Sequence, residues 1–320
     1  MSRQRTLLTV VAGLLVCWFV CFPEVGTAQS KKVAVIWDTK SAMADAVFLG
    51  FSSKFRQIAP DVELKVYRHL KNMEEAEKVY RDVEPTVDGI VFLRSAGAEF
   101  LAKQKPIVPC FIGATNNPVD LGAVKNLNAP EGMITGVTYF IPYEKRFQII
   151  QSLFPNLKSV GLLVEKGHPG GPIDRRGTAE QCQRLQLGYH EAVVSNLNEL
   201  LEGARNLAGK VDLFIISSTR LAMDNVVNLL PVANASRTPM FAYADKPVKA
   251  GAVAGVEDDD VKLGGMLAES VMDVVVKGKP VSQVPVKTDP NPRILINKGM
   301  MNSLGLKFPD AVLKEATFVD

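Results

Sequence analysis

The chain has 320 residues, 47% of them hydrophobic and 22% charged. That is enough apolar sequence for two cored lobes and unlike the composition of a disordered chain. Lys and Arg number 37 against 34 Asp and Glu, a formal charge of +3, too small and too evenly spread to argue for a nucleic-acid or anionic-membrane partner.

The N-terminus is set apart by its pattern. Arg3 and Arg5 precede an uncharged run over 7–22, which Pro23 and Glu24 end, and Gly26-Thr27-Ala28 supplies small residues. Charged, apolar, then small is the order of a secretory signal, so residues 1–28 read as a signal peptide cleaved after Ala28. The run falls short of the roughly 20 apolar residues that span a bilayer. Cys17 and Cys21 raise lipid attachment as an alternative, against which Val16 before Cys17 is bulky for such a site. Two cysteines then remain, Cys110 and Cys182, expected unpaired because one sits in an apolar strand and the other on a later helix of the other lobe.

From Lys32 onward, strand and helix patterns alternate. Strands are expected at 33–37, 62–67, 87–93 and 107–112, and helices at 41–55, 72–83 and 95–103, with Ser41 and Ser95 as caps. A polar loop over 113–118 and a β-like run at 133–140 follow. The second series has helices at 143–154, 175–187, 197–207 and 221–234, with strands at 159–164, 189–194, 211–216, 240–243 and 251–256. Asp258-Asp-Asp260 opens a long helix over 261–276, then come β-like runs at 281–286 and 294–296 and a short helix at 298–304. Such alternation predicts an α/β fold of parallel sheets covered by helices on both faces. No linker is Pro- or Ser-rich, so the two series read as two Rossmann-like lobes of one body.

Catalytic and metal patterns are weak. The loop 167–172 lies where phosphate loops occur but lacks their Gly-Lys-Ser/Thr ending, and reads as a turn. Asp258-Asp-Asp260 would fan out on a helix rather than converge on a metal. It reads as an acidic helix start, worth about 0.3–1 kcal/mol per charge. His69, His168 and His190 have no zinc spacing, and Ser217-Ser-Thr219 lacks a hydrolase elbow. Asn234-Ala-Ser236 matches a glycosylation acceptor and carries no weight. No enzyme activity, metal or cofactor is expected.

The positive signal is collective. Polar or aromatic residues recur where strands end: Trp37-Asp38, Arg94-Ser95, Thr115-Asn116-Asn117, Glu165, Ser217-Ser218-Thr219 and Tyr243-Ala244-Asp245. Ligands of open α/β sheets bind at those ends. The candidate ligand-binding residues are therefore Trp37, Ser41, Arg94, Ser95, Ala96, Thr115, Asn116, Asn117, Tyr139, Glu165, Ser217, Ser218, Thr219, Tyr243 and Asp245. Ser95, at a helix start, and Arg94 could together take a carboxylate.

Several stretches carry a family resemblance: Asp88-Gly-Ile-Val-Phe-Leu, Pro106-Ile-Val-Pro109, Asn117-Pro-Val119, Gly122-Ala-Val-Lys-Asn-Leu127, Thr135-Gly-Val137, Glu144-Lys-Arg, Phe154-Pro-Asn-Leu-Lys-Ser-Val-Gly161, Gly209-Lys-Val-Asp212, Thr238-Pro-Met-Phe-Ala242, Lys262-Leu-Gly264 and Leu304-Gly-Leu-Lys-Phe-Pro309. In order, and over nearly all of the mature chain, they resemble the ABC transporter substrate-binding proteins whose best-known members bind tryptophan and other aromatic amino acids. The resemblance implies a periplasmic-binding-protein type I fold with a three-crossing hinge near Thr138–Ile141, Glu257 and Pro280–Pro285. It implies lobe I at 29–139 plus 257–281 and lobe II at 140–256 plus 282–320. It also implies a monomer in the periplasm that closes on a small-molecule ligand and presents it to an ABC permease of the inner membrane. An exported sensory protein acting on a membrane receptor would have the same fold and cleft, and an exported α/β enzyme, the remaining alternative, would need a nucleophile and base converging in the cleft.

The chain departs from the family at four places. Asn117 stands where an acidic residue commonly precedes the proline, Ser218-Thr219 where Thr-Asp is frequent, Tyr243-Ala244 where Ser-Asp is usual, and Arg94 where Gly is usual. Loss of those carboxylates points away from a zwitterionic amino acid. It points towards an organic anion or neutral compound, aromatic or carboxylate-bearing, stacked on Trp37 or Tyr243.

Overall fold

A computed structural model describes residues 30–168 and 170–319. The expected signal peptide and Cys17 lie outside the described residues. The first series comprises β1 (Lys32–Asp38), α1 (Ala42–Ile58), β2 (Glu63–Leu70), α2 (Met73–Val83), β3 (Gly89–Leu93), α3 (Ser95–Ala102), β4 (Cys110–Gly113) and β5 (Ile134–Gly136). Its five strands form an all-parallel sheet in the order β2-β1-β3-β4-β5. The central strand β3, Gly-Ile-Val-Phe-Leu, is buried along its whole length, as a strand covered on both faces must be. The Asn72 side chain caps α2 by accepting from the Glu75 N–H at 3.0 Å.

The second series comprises α4 (Tyr143–Leu153), β6 (Ser159–Glu165), α5 (Gly170–Leu185), β7 (Gly188–Val194), α6 (Leu197–Leu207), β8 (Leu213–Ile216), α7 (Arg220–Asp224), α8 (Val226–Ser236), β9 (Met240–Ala242), α9 (Asp245–Lys249), β10 (Ala254–Glu257), α10 (Asp260–Val271), β11 (Arg293–Asn297), α11 (Lys298–Ser303), α12 (Asp310–Glu315) and β12 (Thr317–Val319). Its sheet runs β12-β11-β10-β9-β8-β6-β7, with β11 antiparallel to β10. Each sheet has an apolar cluster on either face: Val35, Phe51 and Leu267 against Ile36, Tyr80 and Phe92 on the first, Leu162, Phe147 and Ile215 against Leu163, Leu200 and Phe214 on the second. Cys110 and Cys182 are free and buried in different sheets' cores, and burial pushes both thiols up to about 12.

The long helix expected over 261–276 is α10, followed by a wider π-type turn, Met272–Val276. It leaves the second sheet's β10 yet packs on α1, on the first sheet. The two helices meet backbone to backbone through glycines. A methyl group on Gly50 would lie 1.9 Å from the Val261 carbonyl oxygen, and one on Gly264 2.0 Å from that of Val47.

The chain thus passes between the sheets three times. The first passage lies between β5 and α4 and the second between β10 and α10. The third falls later than expected. Val281, Val284 and Val286 are buried in the first sheet's clusters, and Lys287 exchanges backbone bonds with Gly136 and Thr138 at 2.9 and 3.0 Å. The passage therefore lies between Lys287 and β11. The valine-rich run 281–286 reads as β-like, but it forms a 3-10 turn (Val281–Gln283) and a core-packed loop. Other elements are shorter than expected, among them the run at 133–140, of which only Ile134–Gly136 is strand. Pro106 and Pro109 confine β4 to Cys110–Gly113, and the helix expected over 221–234 breaks at Asn225 into α7 and α8.

Candidate functional site

A cavity of about 350 Å³ lies between the two sheet units. Met43 of α1, Asn116 and Tyr139 line it from the first unit, and Ile141, Arg146, His168, Ser218, Met223, Tyr243 and Ala244 from the second. Glu257, Asp258 and Asp260, at the second passage, complete it.

Arg146 is its most constrained polar group. It lies three residues after Tyr143 on α4, so both project from one face. Arg146 is only 6% exposed. Its guanidinium carbon lies 4.0 Å from the Tyr243 ring centroid, 4.6 Å from that of Tyr143 and 5.3 Å from that of Phe140. Nε donates to the Ile141 carbonyl at 2.7 Å. Nη1 lies 3.8 Å from Asp174 Oδ1, an ion pair too long to be a hydrogen bond, and has no hydrogen-bond partner. Burial disfavours the charge, but the Tyr143, Tyr243 and Asp174 side chains outweigh it and hold Arg146 protonated.

Asp174, 2% exposed, anchors this arrangement from α5. It accepts a short hydrogen bond from the Tyr143 hydroxyl and one of 2.6 Å from the Ser218 N–H. One turn further along α5, Gly177 admits the Tyr143 ring, since a methyl group there would lie 2.2 Å from the ring carbon Cδ2. The Tyr243 hydroxyl is buried without a partner, and burial raises the pKa of both tyrosines.

The opposite character gathers at the second passage. Asp259 caps α10 by accepting from the Lys262 N–H at 3.0 Å. Glu257 pairs with Arg293 at 2.5 Å and accepts from the Asp245 N–H at 3.0 Å. Asp258 Oδ1 is buried without a partner. Burial, then the neighbouring Asp289, push the Asp258 carboxyl up to about 8, while Arg146 opposes them. Burial and Glu257 push Asp260 up to about 6.

Of the residues expected from sequence, the cavity brings together Asn116, Tyr139, Ser218 and Tyr243. The others do not line it. Trp37 is 0% exposed, edge-on to His69 and against Phe48 in the first core, so no ligand can stack on it. Ser41 accepts from the Ala44 N–H as the cap of α1. Arg94 turns to Asp38, 2.7 Å away, and to Thr39 at 2.5 Å. Its backbone, at φ 75° and ψ 157°, occupies a region open essentially to glycine. Ser95 is the first residue of α3 and not its cap: its hydroxyl accepts from the Asn116 N–H at 3.1 Å, positioning a lining residue, and Ala96 follows it. Thr115 is fully buried beneath the first passage, where its carbonyl accepts from the Thr138 hydroxyl at 2.8 Å.

Asn117 is used locally. It donates to Asp120 at 2.6 Å and accepts from the Val119 N–H at 3.1 Å, and Asp120 in turn pairs with Arg176 of the second unit at 2.9 Å. Glu165 accepts from the Leu221 N–H at 2.9 Å and caps α7, with Thr219 and Ser217 buried behind it. Asp245 pairs with Lys249 at 2.7 Å.

Arg146, Asp174 and Asp258 were missed. The signals were present: Arg146 lies in the Glu144-Lys-Arg stretch beside the first passage, and Asp258 follows a residue expected at the second. The cavity is not without acid, although positions 117, 219 and 244 lack it: Glu257, Asp258 and Asp260 line it.

Two mainly parallel sheets, three passages and a cleft between them define the periplasmic-binding-protein type I fold. Residues 45–320 match the ABC transporter substrate binding protein family, and the chain belongs to it. A tyrosine-binding protein of Clostridioides difficile (strain R20291) is 25% identical over 200 residues, 62% of this chain, and the match spans only 58% of that protein's length. Among solved structures, the ligand-free, open form of a Clostridium difficile substrate binding protein with adhesive properties aligns with TM-score 0.80 and 21% identity, covering 91% of this chain and 99% of that one. A Streptococcus pneumonia ABC domain in complex with L-Trp aligns at 0.66 and 22%, over 91% and 100%. Among the described residues no helix is long and apolar enough to cross a membrane.

Proposed function

We propose that this protein is the exported solute-binding component of an ABC importer and that it carries an amino acid, of aromatic type, whose carboxylate docks on Arg146. The single observation that supports this reading most is the Arg146 guanidinium, buried between tyrosines at a cavity wall with one nitrogen free. A buried, hydrogen-bond-deficient arginine is a ready carboxylate site. The cavity volume falls within the roughly 300–1,000 Å³ of small-molecule sites, and Met43, Met223, Tyr139 and Tyr243 offer apolar and aromatic surface to a side chain. The relatives that bind tyrosine and tryptophan favour the same class.

In this reading the two sheet units are lobes that close by bending at the three passages, with the Asp120–Arg176 pair between the units favouring closure. The protein acts as a monomer in the periplasm, after loss of residues 1–28, and hands its ligand to a permease without catalysis.

A thermal-shift screen of the mature protein against amino acids and matching carboxylic acids tests this. A ligand at about one hundred times its Kd adds about 2.7 kcal/mol, and each kcal/mol raises Tm by about 2–4 °C in a large domain. A rise of several degrees with an aromatic amino acid is expected; a panel with no response sinks the proposal.

A further inference from the structure

Resting on the amino-acid reading above, we infer that Asp258 is the acceptor for the ligand's ammonium group and that the ligand, on entering, expels a proton from it to solvent.

The argument starts from which charges are already matched. Around the second passage Glu257 is held by Arg293 and by the Asp245 N–H, and Asp259 is occupied as the cap of α10. Asp289, 4% exposed, takes the Lys262 ammonium at 2.5 Å and the Asn291 N–H at 2.9 Å. Asp258 has no such partner: it lines the cavity and its Oδ1 is cut off from both water and protein donors. An orphaned buried acceptor costs about 1–3 kcal/mol, a cost relieved when a donor arrives.

The second observation is Arg146, on the same cavity, 6% exposed and with Nη1 free. One orphaned anion acceptor and one orphaned cation donor on one 350 Å³ cavity are the complement of a zwitterion.

The groups acting on Asp258 come from every neighbouring segment. Asp289 before β11, Asp260 on α10 and Glu257 on β10 are acidic, and Arg146 on α4 is the opposing cation. Tyr139 and His168 line the same cavity. Burial, then the nearby carboxylates, raise Asp258 to about 8, so at pH 7 the empty site holds the proton. An ammonium donates to a carboxylate and has nothing to accept from a carboxylic acid. Binding thus replaces Asp258–COOH plus R–NH3+ by the pair Asp258–COO⁻ and R–NH3+, with one proton released.

The experiment is isothermal titration calorimetry of the mature protein with L-tryptophan and L-tyrosine and with their des-amino acids, indole-3-propionate and 3-(4-hydroxyphenyl)propionate. Titrations in phosphate and in Tris count protons. Wild type should release close to one proton per amino acid at pH 7 and progressively less as pH rises through about 8, where the empty site has already lost its proton, and affinity should fall about tenfold per pH unit below pH 7. Asp258→Asn, isosteric and checked for folding by its Tm, should bind the amino acids about 100-fold more weakly with no proton release, and the des-amino acids as well as wild type does. Amino-acid binding by Asp258→Asn within threefold of wild type, or a proton count of zero for wild type at pH 7, overturns the inference and leaves the carrier reading intact. Binding of the des-amino acids with no binding of the amino acids by wild type overturns both.

Discussion

The Arg146 guanidinium carbon lies 4.0 Å from the Tyr243 ring centroid, and neither residue's outer polar atom has a hydrogen-bond partner: Arg146 Nη1 and the Tyr243 hydroxyl are both buried and free. Native interiors rarely leave two such groups side by side, and a bound carboxylate would give both a partner. Arg146→Lys keeps the charge opposite Asp174 but removes the planar fork and most of the ring contact. We expect the variant to fold and to bind its amino acid about 100-fold more weakly, a loss of roughly 2–3 kcal/mol, read by titration calorimetry.

Tyr243→Phe separates binding from stability. The ring and its packing remain, and a buried group without a partner is removed, which normally costs the folded state about 1–3 kcal/mol. The ligand-free Tm should hold or rise, while ligand affinity falls about 5- to 20-fold. A fall in both would mean that the hydroxyl is structural.

Gly264→Ala forces a methyl group against the Val47 carbonyl, where α10 crosses α1. Overpacking of this kind costs about 1–3 kcal/mol, measured by chemical denaturation. Because α10 starts at Asp260, two residues after Asp258, ligand affinity should fall as well. Gly265→Ala is the control: a methyl group there meets nothing within 4 Å, so stability should not drop.

The ligand-free protein should lose stability as pH rises from about 5 to 8. The Asp258 and Asp260 carboxyls, pushed up to about 8 and about 6, keep protons that the unfolded chain releases near pH 4. Their stabilising effect is full below the unfolded value and fades as pH passes the folded ones. The carboxylates of Asp88, Glu191 and Asp273, held below their usual range, act with the opposite sign but change at lower pH. The net loss is on the order of a few kcal/mol, and thermal melts of Asp258→Asn should show a flatter profile.

The alternation of elements was legible because strands such as β3 are apolar throughout and helices such as α2 carry clear caps. The three passages are legible only through the family resemblance, which sets the third at Pro280–Pro285, whereas Val281, Val284 and Val286 pack as a turn and loop in the first sheet's core. Polar and aromatic residues at strand ends point to only a small part of the cavity lining, Asn116, Ser218 and Tyr243. The same rule misassigned Asn117, Glu165 and Thr219, whose side chains satisfy local backbone and turn groups. Arg146 and Asp258 were hidden by their neighbours in sequence. A charge in Glu144-Lys-Arg reads as a solvated helix face, and the middle charges of a Glu-Asp-Asp-Asp run read as a helix start. Only the tertiary packing of Tyr143, Asp174 and Tyr243 around one, and the exclusion of water from the other, set them apart.

The most direct test is a crystal structure of the mature protein grown with the amino acid that gives the largest thermal shift. The ligand should lie between the two sheet units with its carboxylate on Arg146 and its side chain among Met43, Tyr139, Met223 and Tyr243. A ligand bound elsewhere, or in the cleft with its carboxylate away from Arg146, would contradict the account.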